Sequence, residues 1–92
     1  MIKTFKSKKL ANFYFDGVKK GVHPEHSKRL ERILDSIENA TDIRNISFPG
    51  SGLHKLEPKS EDRWSVKVSG NWRVTFIFVD GDAFDVDYTD YH

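Results

Sequence analysis

"WSVKVSGNWRVTFIFVDGDAFDVDY", residues 64–88, decides how this chain folds. Trp64, Val66 and Val68 fall on one face and Ser65 and Lys67 on the other, an alternation of period two that marks a strand buried on one side. After Ser-Gly-Asn at 69–71 the pattern resumes with Trp72, Val74, Phe76 and Phe78 in phase, which sends Arg73 to the opposite face. Asp-Gly-Asp at 80–82 is a second hairpin signal, and Phe84, Val86 and Tyr88 return in phase beyond it. Three consecutive antiparallel strands follow from this stretch alone.

Upstream the period changes. "HPEHSKRLERILDSIENA", residues 23–40, carries Leu30, Ile33, Leu34 and Ile37 as one apolar stripe, with Pro24 suited to a first helical turn. "KKLANFYFDG", residues 8–17, places Leu10, Phe13 and Tyr14 at helical spacing and Gly17 at a C-terminal stop. "IKTF", residues 2–5, is a short strand candidate, and "TDIRNISFPGSG", residues 41–52, reads as an irregular connection with one helical turn. The expected fold is α+β, with two N-terminal helices packed on one face of a twisted, mainly antiparallel β-sheet, and one domain over residues 1–92.

Composition limits what this domain can be. A chain of 92 residues buries only ~60–65% of the surface its unfolded form exposes, so the aromatic residues must supply much of the core. The absence of cysteine leaves neither a disulfide framework nor a Cys-based zinc site and points to a reducing compartment. No apolar run approaches the ~18 residues of a membrane span, and "MIKTFKSKK" lacks the hydrophobic stretch of a signal peptide. Cytoplasmic localisation, with no membrane partner, is the expectation. The net charge is only +1, yet residues 1–37 hold nine Lys or Arg against four Asp or Glu, while residues 80–92 hold five Asp and no cation. Such asymmetry fits a polyanion-binding face beside an acidic segment, or equally a solvated helix face.

Hairpin arithmetic gathers the reactive side chains. Pairing Val79 with Ala83 puts Arg73 opposite Thr89, next to the closing residues Asp90, Tyr91 and His92. Pairing Val68 with Trp72 puts Arg73 opposite Lys67, and pairing Glu57 with Arg63 places His54 opposite Val66, one step away. His54, Lys67, Arg73 and the tail are therefore expected at one end of the sheet.

Such a group suits cleavage of RNA by its own 2′-hydroxyl. That reaction needs a base for the hydroxyl, an acid for the departing 5′-oxygen and positive charge on the phosphate. His54, Asp90 and His92 can exchange protons, Arg73 and Lys67 can hold the phosphate, and Tyr91 can stack on a base. The inventory is sufficient without a metal or other cofactor. The alternatives are structural: Arg73 paired with Asp85 or Asp87 across the strands, His54 a half-buried strand histidine, Lys67 a solvated strand lysine, Tyr88 a packing residue. His23 and His26 lie three apart near a helix start, but no third metal ligand is evident nearby. The five aspartates lack EF-hand spacing.

Taken together, "LH.L" at 53–56, "WS" leading to "NWR..F.F" at 71–78, "GDA" at 81–83 and the final "DYH" resemble the HigB-type toxins of bacterial toxin–antitoxin modules, within the RelE/ParE superfamily. "MIKTFK" and the chain length fit as well, so the resemblance covers essentially the whole chain. It implies a small microbial-ribonuclease fold and a toxin that enters the A site of the 70S ribosome to cut messenger RNA without a metal. By position it implies His54, Arg73, Asp90, Tyr91 and His92 as the catalytic set. It also implies a HigA-like helix-turn-helix antitoxin as partner, with operator DNA bound only through the toxin–antitoxin complex. Lys19, Lys20, Lys28, Arg29 and Arg32 then become candidate contacts to ribosomal RNA. Relatives often carry Lys and Gly after "H.L", where this chain has Glu57 and Pro58; Lys55 or Lys59 is the substitute phosphate contact. Some also carry an arginine near Ser69, where Lys67 is the nearest cation. A ParE-like gyrase-binding toxin and a non-catalytic RNA- or protein-binding module are the rival readings.

Overall fold

Leu30, Ile33, Leu34 and Ile37 are all buried on one stripe of the longer helix, and each such side chain withdrawn from water contributes ~1.5–3 kcal/mol. The structure, a computed structural model, describes residues 1–56 and 62–91. Its helices are α1, Lys8–Asp16, and α2, Ser27–Asn39. Ser7 caps α1 by accepting the Leu10 N–H at 3.1 Å, and Gly17 ends it at φ 69°, a conformation that costs glycine little. Pro24 does not open α2 itself. It begins a 3₁₀ turn, Pro24–His26, that runs into the helix. The connection after α2 holds the expected single turn, Ile43–Ile46, with an Asp42 and Asn45 capping box.

The sheet has four strands in the order β1 (His54–Lys55), β2 (Arg63–Ser69), β3 (Trp72–Val79) and β4 (Asp82–Asp90), each antiparallel to its neighbour. Val66, Val68, Val74, Phe76, Ala83 and Val86 face the helices and close the core with Leu10, Phe13 and the α2 stripe. Residues 2–5 do not form a full strand. Ile2 and Phe5 instead make isolated parallel bridges to Ala83 and Val86, which cover the outer edge of β4. Among the described residues no helix is long and apolar enough to cross a membrane.

Both tight turns contain two residues rather than three, because Val79 pairs with Asp82 and Ser69 with Trp72. Asp80 and Gly81 both have positive φ, as a two-residue hairpin prefers. The pairing of Val79 with Ala83 therefore fails by one position. A bulge restores the register: Phe76 stands opposite both Asp85 and Val86, and Asp85 takes φ 56°. Beyond the bulge Arg73 does pair with Thr89. The extra residue also moves Ala83 into the core in place of Phe84, which pairs with Ile77 on the outer face.

Candidate active site at the end of the sheet

The outer face of the sheet, turned away from the helices, ends in a row formed by Lys67 on β2, Arg73 on β3 and Thr89 on β4, each directly opposite the next. A row of directly opposed residues shares one face. His54 pairs with Ser65 rather than Val66, one residue from the expected partner. Since Ser65 and Lys67 alternate with Val66, this shift brings His54 onto the same face as Lys67 and Arg73. With strands ~4.8 Å apart and ~3.3 Å per residue, the Cα atoms of His54 and Arg73 lie about 12 Å apart, within joint reach of their side chains. The Glu57–Arg63 pairing, together with Pro58, Lys59 and His92, lies outside the described residues.

Two glycines set the approach to His54. Gly50 and Gly52 have φ 84° and 56°, values that a residue with a Cβ rarely adopts. The Gly52 carbonyl lies 3.2 Å from His54 Nδ1. A carbonyl only accepts, so Nδ1 carries a proton, and the tautomer this favours leaves Nε2 as the nitrogen available to accept one. His54 itself is exposed. Beside it, Ser65 Oγ is buried and lacks a hydrogen-bond partner among the described residues.

Arg73 is half-buried and donates through Nη1 to the carbonyls of Gly70 at 3.0 Å and Trp72 at 3.3 Å. Neither Asp85 nor Asp87 takes it. Asp85 is bound by Arg63, which also donates to Thr75 Oγ1 at 3.1 Å, and Asp87 Oδ1 accepts the Tyr88 N–H at 3.0 Å. Lys67 is exposed. Lys55 is not on this face, since it pairs with Trp64, lies 5.9 Å over that ring and bridges to Asp62 at 3.0 Å. The structure therefore does not bring its side chain together with His54.

The tail is held by its backbone. Asp90 closes β4 opposite Trp72, and the Tyr91 N–H donates to the Asn71 carbonyl at 2.8 Å, fixing Tyr91 beside the β2–β3 turn with its side chain exposed. On the helix side an aromatic group supports this end. Trp72 and Tyr88 rings lie 4.5 Å apart, and His23 meets Trp72 edge-on at 4.9 Å. Tyr88 OH accepts the His23 N–H at 3.4 Å and lies within hydrogen-bond distance of His26 Nδ1, at 2.7 Å. Burial, with the His23 ring second, lowers the His26 pKa against the pull of Glu25. Burial foremost also raises that of Tyr88, and both groups stay neutral near pH 7. Tyr88 packs, as its position in the alternation suggests.

Lys19, Lys20, Lys28 and Arg32 are exposed. Lys28 and Arg32 line an open groove shared with Glu31 and Asp35, so the surface of α2 is mixed in sign rather than uniformly basic. Arg29 is different, since its guanidinium is bonded to the protein's own carbonyls. Sequence reasoning passed over this residue's internal role and that of Arg63. For Arg63 the available signal was its place two residues before Ser65, on the face that also receives the aspartates of β4.

Comparison with known proteins places this geometry in context. The family model for the RelE-like toxin of the type II toxin–antitoxin system HigB matches residues 3–92. The chain is also 40% identical over 92 residues to the Endoribonuclease HigB of Proteus vulgaris, an alignment that covers 100% of both proteins.

Proposed function

This chain belongs to the HigB-like family of toxins of type II toxin–antitoxin systems, and from that premise we propose that it is an endoribonuclease cutting messenger RNA in the ribosomal A site. The observation that carries the reading is the row Lys67–Arg73–Thr89, with His54 beside it and Tyr91 docked at its end. Nε2 of neutral His54 takes the proton of the RNA 2′-hydroxyl, and the oxygen attacks the adjacent phosphorus. Arg73 and Lys67 hold the phosphate as negative charge builds on its oxygens. A tail group, Asp90 or His92, returns a proton to the departing 5′-oxygen, and Tyr91 stacks on a base. The cations of this row and the two proton carriers supply every group the displacement needs.

A type II toxin works against a protein antitoxin. Here that partner is a HigA-like protein with a helix-turn-helix domain, and operator DNA is met through the complex of the two. The modest net charge fits a nuclease positioned by the ribosome better than one that must capture free RNA with its own basic footprint. Lys19, Lys20, Lys28 and Arg32 are its contacts to ribosomal RNA, and the cytoplasm is its compartment.

A purified translation reaction tests the reading. The chain is expected to cut messages inside codons during translation, and His54→Ala to slow cutting by ~10²- to 10⁴-fold while melting as the parent chain does. Intact message with DNA damage in cells would favour the gyrase-binding alternative, and neither effect would favour a non-catalytic module. A His54→Ala loss under about threefold would remove the proton-transfer role.

A further inference from the structure

Arg29 stands on α2, yet its guanidinium reaches the sheet. Nη2 donates to the Gly50 carbonyl at 2.5 Å and to the Lys67 carbonyl at 3.1 Å, and Nε donates to the same Lys67 carbonyl at 3.3 Å. Both acceptors belong to segments that carry site residues. Lys67 is one itself, and Gly50 opens the short run that delivers His54. The Phe48 ring lies 5.8 Å from Arg29 Cζ and 4.7 Å from Arg32 Cζ, so an aromatic surface further restrains where the fork can point.

The same two segments meet a second time. The Lys67 N–H donates to the Ser51 carbonyl at 2.7 Å, and the buried Ser51 turns its hydroxyl to the Leu53 N–H at 3.3 Å. Lys67 is thus gripped through both halves of its backbone, the N–H by residue 51 and the C=O by Arg29. Gly50, at φ 84°, aims its carbonyl at Arg29; Gly52, at φ 56°, aims its own at the His54 ring. Helix, glycine run and strand end form one connected unit with His54 at its exit.

A surface cation meant for RNA would keep its donors turned to solvent. Arg29 commits three of its donor directions inward, and a lysine could not reproduce them, since an ammonium lacks the flat fork that spans two carbonyls. We propose that Arg29 is a positioning residue of the cleavage site: it fixes the spacing between the 50–54 segment and the end of β2, and so sets His54 against Lys67 and Arg73. The proposal rests on the nuclease reading above.

Arg29→Lys tests it with two independent readouts. Without any RNA, the Lys67 amide is expected to exchange with solvent about tenfold faster, the scale of losing hydrogen bonds from a charged donor, and the His54 ring resonances are expected to shift. In the translation reaction the variant is expected to lose about tenfold or more in kcat at unchanged KM and unchanged salt dependence. A raised KM with a salt slope shallower by about 1, with Lys67 exchange unaltered, would overturn the proposal and make Arg29 a phosphate contact. If the parent chain itself cuts no message, the nuclease reading falls, and exchange and ring shifts still decide whether Arg29 holds the His54 segment. Should the lysine variant fail to fold, Phe48→Leu removes the ring beside the guanidinium but keeps its donors. Smaller changes of the same kind are then expected, and none would count against the clamp.

Discussion

Arg63 and Arg73 occupy opposite ends of the same sheet face, and their surroundings separate structure from chemistry. Arg63 crosses β3 to bind the carboxylate of Asp85 and the hydroxyl of Thr75, so its charge is cancelled within the fold. The bonds from Arg73 that fix its direction end on neutral carbonyls, those of Gly70 and Trp72. Carbonyls orient a guanidinium without neutralising it. On the proposed reading, a cation oriented by neutral groups is what a phosphate gaining charge requires, whereas one bound to a carboxylate ties strands together. The Asp85 bulge makes the division possible, because it turns that carboxylate toward Arg63 and away from the site end.

Exchanging the fates of the two arginines would break this comparison. The largest effect is expected for Arg73→Ala, a loss of ~10²- to 10³-fold in message cleavage with the melting temperature nearly unchanged. If that variant unfolds, or cuts at the parent rate, Arg73 is a structural residue and the contrast collapses. Arg63→Ala is expected to behave in the reverse way. It strands Asp85 and the buried Thr75, and with the Asp85 side chain 42% exposed solvent screening limits the cost to about 1–2 kcal/mol. Tm should then fall by roughly 4–8 °C per kcal/mol, while cleavage well below the transition stays close to that of the parent. Calorimetry and a cleavage assay on the same two preparations read both halves.

The smallest expected effect sharpens the comparison from the other side of the sheet. His26 is buried against Tyr88, His23 and Glu25, and its pKa lies below the ordinary 6.5. A histidine lowered on folding gives its full stability above the unfolded value; as pH falls below about 6.5 the unfolded chain takes up the proton first and stability declines. Melting curves from about pH 7.5 to about pH 5 should therefore show a smaller acid loss in His26→Phe than in the parent. An identical slope would mean that folding leaves the His26 pKa where it is in the unfolded chain.

Much of this division was legible in the residues. Alternation through 64–88 and the two Gly-containing turns placed Lys67, Arg73 and Thr89 in one row, as found. The apolar stripe of α2 likewise marked its buried side. What the sequence hid was the extra residue at Asp85, because an aspartate entering the left-handed region leaves no periodic trace. An even alternation therefore assigned Phe84 to the core in place of Ala83. Two-residue turns were read as three for a related reason, since the flanking Ser69 and Asp82 resemble turn residues although they pair. The clamp made by Arg29 was illegible for a stronger reason. Its acceptors are backbone carbonyls at Gly50 and Lys67, and side-chain patterns do not encode where carbonyls from distant segments converge.

The covered edge of β4 has a consequence for the order in which the molecule is completed. The Asp85 N–H donates to Thr4 Oγ1 at 2.7 Å across 81 positions of chain, and the Lys3 N–H donates to the Ala83 carbonyl at 2.7 Å. Residues 2–6 thus gain their strand partner only once β4, far along the chain, has formed. Contacts so remote in sequence form late in folding. The strand that completes the edge is the same one that leads to Asp90 and Tyr91, so the edge and the seat of the tail are completed together.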